Sequence, residues 1–429
     1  MNLKYLPFIA AFAVLAAGCR QQNNPAVEKQ LKDLLAKNEY FKLDTRYRQA
    51  GNELDESNRL YFKAFIDNAF NRNEECVKDV DSLFNLANFT APDSVKSTLK
   101  RLQGDSYFKT FQYLRAAQCD SMILNKYKHA LKKDVIDDIN NDLLIRNGLK
   151  NIPVQQTIIK ANTTIPWHRD MLGLIEFPIK ANAQNFDAIF DTRANISTIS
   201  KTYAKKLGLH ILDVTYNEGS GATGITFKTG MGVADSLSIG GITVRNVFFQ
   251  VMPDSILYIA PVKFQLNIII GFPVIAQMQE VHIFKDGKMT IPATPAKSDL
   301  HNFALDGLDP VLALKSGNDT LSFHFDSGAS KSMLYLAYFN KYKATVLKTA
   351  VKKTQGFGGA GGTQKKEVYV LPKLNLTIGG KTVVVDSVSV LTKPIDPGEK
   401  FYGNIGQDFT SKFNELIYNF KDMYIKGVL

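Results

Sequence analysis

Cysteine is scarce in this chain. Three in 429 residues cannot make a disulfide scaffold, and no Cys/His spacing of a zinc module is present. No G-x-S-x-G nucleophile elbow occurs. The six histidines (His129, His168, His210, His282, His301 and His324) are scattered and never form H-E-x-x-H, so neither of these hydrolase classes applies. Long apolar runs are missing beyond the N-terminus, which excludes a polytopic helical membrane protein. With 45% hydrophobic and 22% charged residues the composition is that of a globular protein, which excludes a disordered or fibrous chain. Lys and Arg number 52 against 41 Asp and Glu, a moderately basic balance of +11. The length suits two or three globular units.

At the N-terminus Lys4 precedes an apolar run from Tyr5 to Ala17, and Ala16-Ala17-Gly18 leads into Cys19 and polar residues. This is the layout of a secretory signal, too short for a comfortable membrane span. Leu-Ala-Ala-Gly-Cys resembles a bacterial lipobox, with Ala16 in place of the commoner Leu. The resemblance implies cleavage before Cys19 and acylation of its thiol; an ordinary signal peptide or an uncleaved anchor is the alternative. Acyl chains at about 0.8 kcal/mol per buried CH₂ would hold the protein on a membrane. The expected location is the cell envelope, lipid-anchored and periplasmic or surface-facing. In that oxidising compartment Cys76 and Cys119 have the option of a disulfide. Burial on helices, where a free thiol acts as a small hydrophobe, is preferred.

From Ala26 to about Lys150 apolar residues recur at helical spacing, as in Val27, Leu31, Leu34 and Leu35, or Cys76, Val77, Val80, Leu83 and Phe84. Tyr61-Phe62-Lys63 returns as Tyr107-Phe108-Lys109, each expected to open a helical stretch. This resembles tetratricopeptide-type helix pairs, although 107 − 61 = 46 is long for them. After Pro153 the texture changes to short β-branched and aromatic runs between glycines, the pattern of strands. Ile291 to Lys297, with two prolines, reads as a linker within that region. The expected fold is multidomain α+β. A signal segment (1–19) leads to an N-terminal helical repeat or bundle (20–150) and then two tandem all-β lobes (151–297 and 298–429).

The two β lobes are a duplication. FDAIFDTRANISTIS carries Asp191 and LSFHFDSGASKSML carries Asp326. Glycine-rich segments follow about thirty residues on, Gly219–Gly224 and Gly356–Gly362. Leu237-Ser238-Ile239-Gly240-Gly241 then matches Leu376-Thr377-Ile378-Gly379-Gly380. Ile270-Gly271 matches Ile405-Gly406, and 271 − 191 = 406 − 326 = 80. Four landmarks in one order are a repeat, not coincidence.

An apolar strand ending in Asp-Ser-Gly-Ala, a glycine-rich hairpin and an apolar-apolar-Gly motif resemble the retropepsin-like aspartic peptidases. Two copies in one chain resemble the pepsin arrangement. The resemblance covers residues 165 to 429 and implies acid-protease-like lobes with Asp191 and Asp326 as the catalytic dyad. It also implies that Thr192 and Ser327 bond across the interface, with Gly328 as close loop support. Gly219, Gly221 and Gly224, with Gly356 and Gly358, would belong to flaps over an extended peptide held by main-chain hydrogen bonds. Two carboxylates at about 3 Å share one proton, the known behaviour of aspartic-protease dyads, so one serves as base and the other as acid. No cofactor or metal is called for.

The departure is Arg193, standing where the family has glycine. It implies backbone strain or a guanidinium turned onto Asp191, either of which bears on catalysis, or a side chain that points to solvent or along the substrate cleft. The leading expectation is an aspartic-type endopeptidase hydrolysing peptide bonds. The alternatives are a catalytically inactive peptide- or protein-binding relative and an adaptor acting through the helical unit. Expected partners are a peptide or protein substrate, a membrane through the lipid, and a protein on the helical unit, with no nucleic acid. His324, two before Asp326, is expected to be packed and not a ligand. Lys348, Lys352, Lys353, Lys365 and Lys366 around the second glycine-rich segment suit a solvated hairpin edge.

Overall fold

The structure, a computed structural model, describes residues 23–87, 89–219, 226–359, 362–395 and 398–429. The signal segment with Cys19, and Gly221 and Gly224, lie outside the described residues. The helical part consists of three helical hairpins and a last helix. The pairs are Pro25–Ala36 with Tyr40–Ala50, Glu56–Ala69 with Asn73–Asn85, and Asp93–Lys109 with Tyr113–Met122; Lys133–Leu149 follows. Asn24 opens the first helix by accepting from the N–H groups of Ala26 and Val27, with Pro25 at the first position, where its missing N–H costs nothing.

Each hairpin turns on three residues whose middle member is left-handed: Asn38 (φ 52°), Asn71 (φ 57°) and Phe111 (φ 59°). The N–H of the third turn residue closes back five residues, Glu39 to Leu34, Arg72 to Asp67 and Gln112 to Tyr107. The tyrosine-led repeat falls differently from its sequence reading. Tyr61 sits inside Glu56–Ala69 and Tyr107 near the end of Asp93–Lys109, so neither opens a helix. Both mark buried helix faces at different phases, while the structural unit is the hairpin. Arg146 on the last helix pairs with buried Asp120 at 2.6 Å, fastening that helix to the third hairpin.

The β region forms two lobes and a sheet they share. The first lobe is a nine-stranded sheet and the second an eight-stranded one. In the first, Ile268–Ile270 runs parallel to Gln184–Phe190 and antiparallel to Ser197–Ser200. In the second, Gly403–Ile405 runs parallel to Asp319–Phe325 and antiparallel to Met333–Leu334. These pairs fall in the same register, displaced by 326 − 191 = 135. The shared sheet pairs Glu280–Phe284 with Glu415–Asn419, and its midpoint joins His282 to Ile417, again 417 − 282 = 135. A pseudo-twofold axis therefore passes through that pair. His282 adds a polar tie, Nδ1 to Glu415 and Nε2 to Glu280, both at 2.7 Å. Tyr418, fully buried, packs against Phe190 and Phe325, the residues just before the two aspartates.

The helical unit docks on both lobes. Phe111, Tyr113, Ile145 and Leu149 form one cluster with Tyr216, Met231, Val233 and Phe248 of the first lobe. Asn141 bonds both main-chain groups of Asn217, on the edge strand His210–Gly219. Against the second lobe, Tyr40 and Asn38 donate to the Asp306 carboxylate.

Cys76 and Cys119 are free and buried on helices. Burial pushes Cys76 up to about 12 and Cys119 up to about 11. The thiolate is the reactive form. Both residues are therefore expected to resist iodoacetamide in the folded chain at pH 8 and to react fully in denaturant, as read by peptide mass spectrometry.

Candidate active site

Each aspartate follows a strand of the core and sits in a tight loop that leads from it to the next strand, and both strands pair with the same short strand of the lobe. The Asp191 N–H bonds the Ile270 carbonyl at 3.1 Å and the Asp326 N–H bonds the Ile405 carbonyl at 2.9 Å. Gly271 N–H donates to Ser197 Oγ, and Gly406 N–H donates to Ser332 Oγ, each at 3.0 Å. Phe272 and Gln407 N–H groups return at 2.8 Å to the carbonyls of Ala194 and Ala329. The two loops are thus built by the same bonds.

Across the axis the loops exchange hydrogen bonds through Thr192 and Ser327, neither of which has exposed surface. Thr192 N–H donates to Ser327 Oγ at 2.9 Å and Ser327 N–H donates to Thr192 Oγ1 at 3.0 Å. Each hydroxyl then donates to the opposite lobe, Thr192 to the Phe325 carbonyl at 3.2 Å and Ser327 to the Phe190 carbonyl at 2.8 Å. Four bonds in a buried setting fix the relative position of the two aspartates, because any one left unmade would strand a buried polar group.

Asp191 accepts from the N–H groups of Arg193 at 2.9 Å and Ala194 at 3.1 Å through Oδ1. Its carboxylate lies against Gly328 of the other lobe: a Cβ on Gly328 would overlap both oxygens and the Cγ of Asp191. Glycine is required there for space, since Gly328 has no left-handed φ. Asp326 accepts from Asn404 Nδ2 at 3.1 Å and from the Gly328 N–H. Both aspartates keep some surface open to the cleft.

Arg193, at the position equivalent to Gly328, neither strains its loop nor pairs its guanidinium with Asp191. It has no left-handed φ, so the loop is unstrained. Its guanidinium crosses to the second lobe, with Nη1 3.3 Å from Asn404 Oδ1, Nε 3.6 Å from Asp309, and a hydrogen bond to the Tyr335 hydroxyl. The Asn195 amide, oriented to donate, reaches the Leu308 carbonyl and Asp309 at 3.3 and 3.2 Å. His324 is buried, bonded to Glu399 at 3.1 Å and packed on Phe401.

The pair is electrostatically unequal. Burial and then the charge of Asp326 push Asp191 up to about 7, against the pull of the N–H groups of Arg193 and Ala194 and of the guanidinium. Burial also raises Asp326, but Arg193, Asn404 and the Gly328 N–H all act to lower it. Among the described residues no cluster of His, Cys, Asp and Glu is suited to hold a metal.

Of the flap glycines, Gly219 ends the strand His210–Gly219, while Gly356 and Gly358 lie on Val351–Gly359, opposite Lys365 and Thr363 of Gly362–Ile378. Val351–Gly359 is the edge of its sheet, and on this hairpin Lys352, Lys353 and Lys365 are exposed and Lys366 is half-buried. Asn404, Tyr335 and Asp309 were not singled out from the sequence. Asn404 alone had a signal there: it is polar where the first lobe has Ile269.

The family model described as aspartyl protease matches residues 177–274, a stretch of the first lobe that contains Asp191. Over that stretch the chain is similar to aspartyl proteases. Among solved structures, the chain is similar to Basic 7S globulin from soybean at 9% identity and a TM-score of 0.40, covering 62% of this chain and 93% of that one. Conglutin gamma, a basic 7S globulin from lupine seeds, gives 9% and 0.41, covering 62% and 94%. No curated protein shows significant similarity to the chain.

Asp191 ionises less readily in the folded chain than in the unfolded one, so the folded state loses stability as pH rises from about 4 and the loss is complete above about 7. Asp191→Asn should therefore melt above the wild type at pH 8, with the gap closing as pH falls to about 4 in calorimetric scans.

Proposed function

We propose that this protein is an aspartic-type peptidase that hydrolyses peptide bonds with a water held between Asp191 and Asp326. The observation that carries the reading is the packing of the Asp191 carboxylate onto the bare backbone of Gly328, beside Asp326, with the two loops fastened by Thr192 and Ser327. Two aspartates with one negative charge between them supply both functions that amide hydrolysis needs. Arg193 and Asn404 favour the ionised form of Asp326, so the shared proton rests on Asp191.

In this reading the Asp326 carboxylate takes a proton from the water as its oxygen attacks the substrate carbonyl carbon. Asp191 delivers its proton to the carbonyl oxygen, giving a neutral tetrahedral diol. The C–N bond then breaks as the amine nitrogen receives the proton held on Asp326 and a diol hydroxyl returns one to Asp191. The dyad ends as it began. Acylation at Cys19 would place this chemistry at a membrane surface of the cell envelope.

A second reading has one observation in its favour. The Arg193 guanidinium is held beside Asp326 by Asp309, Asn404 and Tyr335, where it also suits a peptide-binding relative that has lost the reaction.

Purified full-length protein and a mixed peptide substrate separate the two. The peptidase should show a bell-shaped pH profile whose alkaline limb falls near pH 7, as Asp191 loses its proton. Asp326→Asn should lower kcat by roughly 10²- to 10⁴-fold. Arg193→Gly should move the acidic limb to higher pH, because Asp326 would then hold its proton more tightly. No cleavage by the wild type from pH 3 to 8, with cleavage gained in Arg193→Gly, would establish the second reading instead.

A further inference from the structure

The second-lobe hairpin, Val351–Gly359 with Gly362–Ile378, leaves its sheet as a two-stranded projection. The neighbouring strand Lys381–Leu391 ends opposite Val368, while the hairpin pairing runs on from Thr354 and Glu367 to Gly359 and Gly362. The projection reaches both halves of the site. Phe357, Val368 and Val370 pack with Tyr335, whose hydroxyl is bonded to Arg193 beside Asp326. Gly362–Ile378 also comes against Tyr258–Ile259 of the first lobe, and Ile259 packs in the cluster that includes Ala194 of the Asp191 loop. The hairpin therefore spans the cleft from one lobe to the other.

Its two faces differ in charge. Residues directly opposite in an antiparallel pair share a face, and faces alternate along each strand. Phe357 and Val368 mark the face turned to the cleft. The register sets Lys353 opposite Val368 and Lys366 opposite Gln355, so both lysines belong to that face. Gln355 is tied inward there by Ser389 Oγ at 2.6 Å. Burial follows the same period: Gln355, Phe357 and Lys366 are half-buried, whereas Thr354, Gly356, Lys365 and Glu367 are exposed.

On the outer face Lys352 pairs with Glu367 at 3.2 Å. On the cleft face neither Lys353 nor Lys366 has a hydrogen bond or an ion pair among the described residues. Protection of a sheet edge explains lysines that stand in open water, as on the outer face. It does not explain a half-buried lysine beside Phe357, which is partly desolvated with no anion to compensate it. Arg193, the other cation nearby, is already held by Asp309 and Asn404. A flat anionic surface would meet the outer face of the hairpin first. A carboxylate on an extended chain beneath the hairpin meets the two unpaired lysines directly.

We infer that Lys353 and Lys366 form an acid-recognising subsite under the second-lobe hairpin, through which the cleft selects peptides carrying an Asp or Glu side chain. This rests on the peptidase reading for its place in the reaction, but the subsite is testable without turnover. The lysines of the hairpin then divide by face, the outer ones serving solubility and the inner ones substrate choice.

Two experiments on the full chain decide it. In the first, Asp326→Asn protein is titrated with capped octapeptides of one sequence in which a single Glu, or Gln in its place, is moved through each position. At about 0.02 M salt, Glu at one position should bind roughly fivefold or more tighter than Gln, and the difference should shrink at about 0.5 M salt, where exposed charges are screened. Lys353→Gln with Lys366→Gln should abolish the difference, and Lys365→Gln, on the outer face, should leave it. No Glu preference at any position, no binding of any peptide, or a preference that survives the double variant overturns the subsite. So does a double variant that loses only its sedimentation with vesicles of phosphatidylcholine and phosphatidylglycerol in equal parts, since the lysines then serve a membrane.

In the second, wild-type cleavage of a random peptide library is sequenced. Acidic residues should be enriched at one fixed distance from the cut bond, and the enrichment should vanish in the double variant while cutting continues. Cleavage without that enrichment removes the subsite and keeps the peptidase reading. A Glu preference in binding without any cleavage by the wild type keeps the subsite and removes the peptidase reading.

Discussion

The structure depends on the reciprocal bond between Thr192 and Ser327. Each hydroxyl accepts the other residue's N–H and donates to a carbonyl of the opposite lobe, with no water-exposed surface on either side chain. A set of four such bonds is made together or not at all, since each unmade one leaves a buried polar group at a cost of about 1–3 kcal/mol. That constraint turns two similar lobes into one site. It also explains why the shared sheet is paired through its own symmetry point at His282 and Ile417: both features sit on the axis, one at the cleft and one beneath it.

Symmetry then stops at the carboxylates. Gly328 leaves room for Asp191, whereas its counterpart Arg193 carries a long cation. The guanidinium is drawn to acceptors of the second lobe, Asp309, Asn404 and Tyr335, and comes to rest on the Asp326 side. The outcome is a pair of carboxylates in unlike electrostatic surroundings, although the loops that carry them match.

The helical unit is joined to the lobes by different means on its two sides. Toward the second lobe it uses hydrogen bonds from Tyr40 and Asn38 to Asp306, and toward the first it buries an aromatic cluster and grips the main chain of Asn217. The apolar contact includes Tyr216 on the edge strand His210–Gly219. A strand whose outer edge is bonded to a helix has less freedom than an open edge, so the unit steadies that edge of the first lobe.

Much of the plan was legible in the sequence because it is written in local patterns. The duplication showed in landmarks at equal offsets, and alternating β-branched runs separated the lobes from the helical stripes. The helical hairpins were misphased because Tyr61 and Tyr107 are half-buried aromatics that recur without sharing a position along the helix. Asn38 and Asn71 are ordinary turn residues by type, but nothing in the composition around Phe111 announces a left-handed turn.

By itself the sequence determined that two equivalent lobes exist and that each ends a core strand in an aspartate, since strand pattern and loop residues are properties of short segments. The tertiary structure alone decided where the Arg193 side chain goes and what surrounds each aspartate. Its acceptors lie more than a hundred residues further along the chain, and the electrostatics of a buried pair are set by what the fold packs around it.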